Sequence, residues 1–289
     1  MKGIVLAGGT GTRLWPLTIA TSKQLLPIYN KPLIYYPISI LMLARIQEIL
    51  LITTPEDQSS FKNLLGDGSA FGLSITYAIQ AKPEGIAQAF LIAEDFIGND
   101  DVALILGDNL FYGTALEDEL PKQIEHKGAK IFTYQVSNPV EYGVLNLDEN
   151  GNPLCVEEKP MKPTSNLAIT GLYFFDSKVV QYAKEIRPSA RGELEITGIM
   201  QKYIEKSDLE FVRLPLGVAW LDTGTPNSLA DASLFVRVLE ERTGRKIACL
   251  EEISYNNRWI NENQLKDRIS IFGKSEYGRY LQNLLNTYS

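Results

Sequence analysis

The stretch that decides the fold is Gly3-Ile4-Val5-Leu6-Ala7-Gly8-Gly9-Thr10-Gly11-Thr12-Arg13-Leu14-Trp15-Pro16. An aliphatic run that stops at clustered glycines predicts a buried strand running into a loop. Glycines there let backbone N–H groups close on an anion and take up angles that other residues avoid. Arg13 adds a fixed cationic fork suited to phosphate. Open α/β sheets bind ligands at the carboxyl ends of their strands, so this placement points to a phosphate loop; a glycine turn with no ligand is the alternative. The two common fingerprints do not fit. Leu14 stands where a dinucleotide motif needs its third glycine, Pro16 opposes a helix starting there, and the P-loop lysine pattern is missing.

Moving outward, apolar runs alternate with helical spacing. Leu33–Ala44 reads as a helix, Ile49–Thr53 as a buried strand, and Leu73–Ala78 as an alternating strand. Ile86–Phe96 reads as one helix preceded by Pro83 and Gly85, and Val102–Leu106 as a strand that stops at Gly107-Asp108-Asn109. Such alternation predicts a parallel sheet covered on both faces. After about residue 129 the strands Ile131–Val136, Val144–Asp148 and Ala168–Phe175 follow, and Glu149-Asn150-Gly151-Asn152 joins the second to Pro153–Glu157 as a hairpin. Leu209–Leu214 and Val218–Leu221 add two strands. Thr225-Pro226 caps a helix that runs to Thr243 and stops at Gly244. The expected fold is α/β: a Rossmann-like, mostly parallel mixed sheet flanked by helices, with a smaller antiparallel insert and a helical C-terminal appendage. We divide it into 1–115 (nucleotide-type part), 116–224 (sharing the central sheet) and 225–289 (helical).

Composition narrows the function classes. With 289 residues, 45% hydrophobic and 22% charged, the chain folds without a disulfide or metal staple. A net charge of −7 argues against a nucleic-acid binder, which normally carries a basic face, but leaves room for a local basic pocket. Cys155 and Cys249 form no CxxC, so neither a disulfide framework nor a zinc site is expected, and the expected compartment is reducing. The apolar run Ile4 to Ala7 is too short for a signal peptide or a membrane span. The expected setting is cytoplasmic, with no membrane partner. His126, in Glu125-His126-Lys127-Gly128, is the one histidine, read as a surface residue near a helix end. Histidine-dependent catalysis is therefore not expected.

The candidates for chemistry lie at strand ends and in loops. Lys23, in Ser22-Lys23-Gln24-Leu25-Leu26-Pro27, supplies a second cation near the glycine loop, suited to a polyphosphate. Asp108 ends one apolar strand and Asp222, in Trp220-Leu221-Asp222-Thr223-Gly224, ends another. Two such carboxylates are candidates to share one Mg²⁺, which is usually held by one or two carboxylates plus phosphates and water. In Glu157-Glu158-Lys159-Pro160, Lys159 suits a monophosphate and Glu158 suits sugar hydroxyls. Asn109 and Tyr142-Gly143 are further polar candidates for a sugar site.

These segments, with Pro83-Glu84-Gly85-Ile86-Ala87-Gln88-Ala89-Phe90, Glu141-Tyr142-Gly143-Val144 and Arg191-Gly192-Glu193-Leu194-Glu195-Ile196-Thr197, resemble in their order the sugar nucleotidyltransferase family, and within it the thymidylyltransferases. The resemblance spans nearly the whole chain. It implies Mg²⁺-dependent, in-line joining of dTTP and α-D-glucose 1-phosphate to give dTDP-glucose and pyrophosphate, towards dTDP-rhamnose or related deoxysugars. By the same resemblance, Arg13, Lys23, Asp108 and Asp222 are catalytic, and Asp108 and Asp222 bind the metal. Leu6, Gly8, Gly9, Thr10, Gly11, Thr12, Gln24, Gln80, Pro83 and Gly85 join Arg13, Lys23 and Asp108 around the nucleotide. Asn109, Tyr142, Gly143, Glu158, Lys159, Ile169 and Tyr173 surround the sugar phosphate. The family implies a homotetramer, a dimer of dimers. Alternatives are a uridylyltransferase, a thymidylyltransferase for another hexose 1-phosphate, an inactive sugar-nucleotide-binding regulator, and a nicotinamide oxidoreductase, which the missing third glycine opposes. The chain also departs from the pattern: Leu216 and Asn256 replace two arginines of the family's regulatory nucleotide-sugar site, which implies weak or altered feedback. Gly198 stands where an acidic residue is usual.

Overall fold

The computed structural model describes residues 1–288, with side chains through Asn286. Strand β1 (Lys2–Ala7) leads into 3-10 turns at Thr12–Leu14 and Lys23–Leu25, then a small ribbon of β2 (Pro27–Ile28) and β3 (Lys31–Pro32). Next come α1 (Tyr35–Leu43), β4 (Glu48–Thr53), α2 (Gln58–Leu65), β5 (Ser74–Ile79), α3 (Gln88–Ile92), α4 (Glu94–Ile97) and β6 (Val102–Leu106). The middle contains β7 (Asn109–Tyr112), α5 (Leu116–Glu119), β8 (Ala129–Gln135), β9 (Gly143–Leu147), β10 (Pro153–Glu158) and β11 (Leu167–Phe175). It continues through α6 (Val179–Glu185), α7 (Ile196–Glu205), β12 (Leu209–Arg213) and β13 (Ala219–Asp222). The tail is helical: α8 (Pro226–Thr243), α9 (Leu250–Asn256), α10 (Glu262–Phe272) and α11 (Glu276–Tyr288).

One mixed sheet runs β10-β9-β11-β6-β1-β4-β5, with β8 and β12 branching from β11. Strands β6, β1, β4 and β5 are parallel, with Val5 in register with Leu51 and Ile105. Strand β11 runs antiparallel to β6, β8 and β9, which joins the insert to the parallel half. Side chains alternate across a strand, and both faces of this sheet are buried. Val5, Ala7, Leu51 and Ile105 pack with α1 and α2 on one face. Ile4, Leu6, Leu50 and Leu104 pack with α3, α6 and α7 on the other. That is why β1 and β6 read as unbroken apolar runs.

Helix α8 follows its sequence signals. Thr225 accepts from Ser228 N in a capping box, Pro226 opens the helix, and Gly244 ends it at φ 69°. Two expectations are corrected. Ile86–Phe96 is not one helix: the backbone breaks at Ala93 (φ −92°, ψ 7°), although Ala89, Ala93 and Ile97 all remain buried, so the apolar period outlasts the helix. His126 is half-buried rather than on the surface. Its ring lies against Phe174, with centroids 6.2 Å apart, and Nδ1 donates to Ile124 O at 2.8 Å. Both cysteines are free. No described helix is long and apolar enough to cross a membrane.

Candidate active site

The site is built on the pairing of β7 with β13. Asp222 stands opposite Asn109 in that ribbon, and Asp108 precedes Asn109 in the chain. Thr223 completes the junction, donating N–H and Oγ1–H to Asp108 O at 3.1 and 2.9 Å. The carboxylates that end β6 and β13 are thereby side by side. Buried Asn109 is held at both ends of its amide. Its Oδ1 accepts from Trp220 Nε1 (2.6 Å) and Gly171 N (3.1 Å), and its Nδ2 donates to Asp108 Oδ1 at 2.9 Å. A Cβ on Gly171 would stand 2.6 Å from Asn109 Oδ1, so glycine is required there.

The charges are arranged as opposed pairs. Lys23 Nζ donates to Asp108 Oδ2 at 2.5 Å. Burial pushes the Asp108 carboxyl up, but Lys23 outweighs it and holds the group below the ordinary carboxylate range. Asp222 lies above that range, first because of burial and then because of the Asp108 charge beside it. Arg13 lies against Gly224, where an added Cβ would be 3.2 Å from Nη2. Hard oxygen donors, two adjacent carboxylates and open space for phosphate and water match what Mg²⁺ takes. Asp108 and Asp222 are the residues that fit it.

The glycine loop meets Gln80. A Cβ on Gly8 would fall 1.9 Å from Gln80 Oε1, so the loop sits directly on that buried amide. Gln80 Nε2 donates to Gln88 Oε1 at 2.6 Å, and Gln88 in turn donates to Glu84 at 2.8 Å, which fixes the amide's direction. Gly11 takes a left-handed conformation (φ 59°), and Thr18 Oγ1 closes the loop onto Gly11 O at 2.7 Å. Gly85 (φ 111°) passes so close to Leu194 that an added Cβ would lie 2.4 Å from its carbonyl oxygen. The segment at 83–87 is thus stitched to the 193–195 turn, with Leu194 N donating to Glu84 O at 2.6 Å.

A cavity of about 290 Å³ opens between the two halves of the sheet. Its insert side presents Glu158, Lys159, Tyr142 and Tyr173. Lys159 has a positive φ of 44°, an uncommon backbone for lysine, and donates N–H to Tyr142 O at 3.0 Å. Burial and then Glu195 push the Glu158 carboxyl up, while Arg191 opposes them. Arg191 Nη2 donates to Glu195 Oε1 at 2.8 Å and to Glu158 Oε1 at 3.2 Å. Trp220 packs at 5.1 Å on the Tyr142 ring.

The structure brings Leu6, Gly8, Arg13, Lys23, Gln24, Asp108, Asn109, Tyr142, Gly143, Glu158, Lys159, Ile169, Tyr173 and Asp222 to this one cavity. Gly9, Thr10, Gly11, Thr12, Gln80, Pro83 and Gly85 are not among its lining residues; Gln80 lies against Gly8, and Gly85 against Leu194. Sequence reasoning gave no role to Trp220, Arg191, Glu193, Glu195 or Thr197, all of which line it. The charged turn Arg191-Gly192-Glu193-Leu194-Glu195 is the visible signal for Arg191, Glu193 and Glu195.

A second cavity, about 300 Å³, lies between β7, α1, α9 and the end of α8. Asn256 lines it beside Glu117, Glu252, Arg245 and Lys246. Its cations are engaged: Lys246 bonds Glu240 at 3.0 Å and Glu276 at 2.5 Å, and Arg245 lies 3.7 Å from Glu252. Leu216, by contrast, projects fully into solvent.

A doubly covered sheet with a glycine loop, two cations and two carboxylates at its strand ends defines a nucleotide-handling transferase, and the model of the Nucleotidyl transferase family matches residues 2–238. The chain is 52% identical over 286 residues to the glucose-1-phosphate thymidylyltransferase of Neisseria meningitidis, covering 99% of each. It is 53% identical over 287 residues to that of Mycolicibacterium smegmatis, again covering 99% of each. A Bacillus anthracis crystal structure assigned as a glucose-1-phosphate thymidylyltransferase, with sucrose bound, superposes with a TM-score of 0.75 at 43% identity, covering 82% of this chain and 95% of that one. The chain belongs to the glucose-1-phosphate thymidylyltransferase family.

Proposed function

We propose that the chain joins dTTP to α-D-glucose 1-phosphate and releases pyrophosphate. The observation that carries this reading is the gathering of Asp108, Asp222, Lys23 and Arg13 in one cavity with Glu158, Lys159 and Tyr142. The first group suits a triphosphate and its metal, the second a phosphorylated sugar. The names of the relatives support the choice of nucleotide and sugar.

A sugar-phosphate oxygen attacks the α-phosphorus in line, so the protein contributes position and charge rather than a nucleophile. The nucleotide extends past the cavity lining, so that the loop after Gly8 offers it backbone N–H groups and Gln80, fixed by Gln88 beside Gly8, offers its amide to the base. Arg13 and Lys23 neutralise charge that builds on the departing pyrophosphate. Lys159 holds the incoming phosphate, and Glu158, steadied by Arg191, accepts from sugar hydroxyls. Asp108 and Asp222 would hold Mg²⁺, which when bound supplies further charge neutralisation on the phosphates.

Pyrophosphate release measured across a panel of nucleoside triphosphates and hexose 1-phosphates tests this. The expected best pair is dTTP with glucose 1-phosphate. A better pair with UTP or another sugar would replace the substrate assignment, and no release with any pair, despite binding, would mark the chain as a sugar-nucleotide sensor.

A further inference from the structure

The carboxylate pair has a resident competitor for its metal. Lys23 Nζ lies 2.5 Å from Asp108 Oδ2, and Asn109 Nδ2 lies 2.9 Å from Oδ1, so both oxygens of this carboxylate already accept a hydrogen bond. The Lys23 and Asp108 side chains are only 14% and 22% exposed, so water does little to screen them. A divalent ion taking Oδ2 would stand beside the ammonium, and two cations on one carboxylate oxygen in a partly buried site repel. Asn109 cannot yield in its place, because Trp220 and Gly171 lock its amide from the other end. Lys23 has somewhere to go: it lines the same cavity as Gly8 and Arg13, where the triphosphate is read to lie.

We propose that Lys23 is a placeholder cation. It occupies Asp108 while the nucleotide site is empty, then passes its ammonium to the triphosphate and frees Oδ2 for the divalent ion. Metal and nucleotide therefore bind cooperatively, the metal alone binding weakly, and the bare carboxylate pair is never exposed uncompensated. The inference rests on the reading of Asp108 and Asp222 as metal ligands. It adds that the lysine and the metal exclude one another on Oδ2.

The test uses Mn²⁺ as the probe, titrated into the nucleotide-free full chain and followed by the electron paramagnetic resonance signal of the free ion. Lys23→Met removes the competitor, so Mn²⁺ should bind about tenfold tighter than to the unsubstituted chain. Lys23→Gln, which keeps a donor but no charge, should shift the same way and covers the case in which the methionine variant does not fold. Equal or weaker Mn²⁺ affinity in the folded variants overturns the exchange. Asp108→Asn and Asp222→Asn report on the underlying reading separately: Mn²⁺ binding unchanged in both removes the metal pair itself, and the exchange with it.

Discussion

Asp222 pairs with Asn109 across the β7–β13 ribbon, and that single register sets the acidic pair. Asp108 is the chain neighbour of Asn109, so a one-residue slip would turn Asp222 to the opposite face. Trp220, two residues earlier in β13, donates its indole N–H to the same Asn109 amide and secures the register from within the ribbon.

Gly8→Ala tests the contact between the glycine loop and Gln80. The new methyl would occupy the place of Gln80 Oε1, 1.9 Å away, and displace an amide that Gln88 holds. Because the effect falls on nucleotide binding and not on the charges at the reacting phosphate, the KM for dTTP should rise about tenfold with kcat nearly unchanged. Steady-state kinetics with varied dTTP check it, and a kcat loss at constant KM would contradict it.

A second prediction concerns stability. Glu240 of α8 is buried and accepts from Lys31 Nζ (2.8 Å) and Ile247 N (2.9 Å) on one oxygen, and from Asn30 Nδ2 (2.6 Å) and Lys246 Nζ (3.0 Å) on the other. Burial pushes its carboxyl up, but these cations and donors outweigh burial and hold it below the ordinary range. A depressed carboxylate contributes stability that is present at neutral pH and is lost as pH falls through its folded pKa. Glu240→Gln, which leaves the buried Lys31 ammonium without a counter-charge while Lys246 keeps Glu276, should cost about 3–5 kcal/mol at pH 7. That difference should begin to shrink as the pH falls below about 4, the unperturbed glutamate value. Denaturant melts at pH 7 and pH 3.5 check it; a cost that stays the same at both would contradict it.

The third prediction concerns feedback. The second cavity presents Asn256, which carries no charge to pair with a diphosphate, and its Arg245 and Lys246 already face Glu252, Glu240 and Glu276. A downstream dTDP-sugar such as dTDP-rhamnose should therefore inhibit only by competing with dTTP. Inhibition kinetics at saturating dTTP test this, and tight non-competitive inhibition would contradict it.

Much of this was legible in the sequence because the signals were local. The apolar runs of β1 and β6 end at the residues that carry the chemistry, and the Thr225-Pro226 cap fixes the start of α8 directly after Asp222. Other parts were not. Helix α2 buries only Phe61 and Leu65, too thin a stripe for periodicity to reveal. The break at Ala93 comes from backbone geometry beneath an unbroken apolar pattern. Trp220 reads as a strand residue until β13 meets β7, and Arg191 stands only as one residue of a matching segment until the structure brings it to the cavity with Glu193 and Glu195. Both depend on contacts between residues far apart in the chain.

The most direct measurement is pyrophosphate release from dTTP and glucose 1-phosphate with Mg²⁺, by the unsubstituted chain and by Asp222→Asn. Losing a metal carboxylate removes charge stabilisation at the reacting phosphates, so turnover should fall by at least about a hundredfold while the variant stays folded. Near-normal turnover would mean that Asp222 holds no metal, and that the paired carboxylates at the ends of β6 and β13 are not where the reaction takes place.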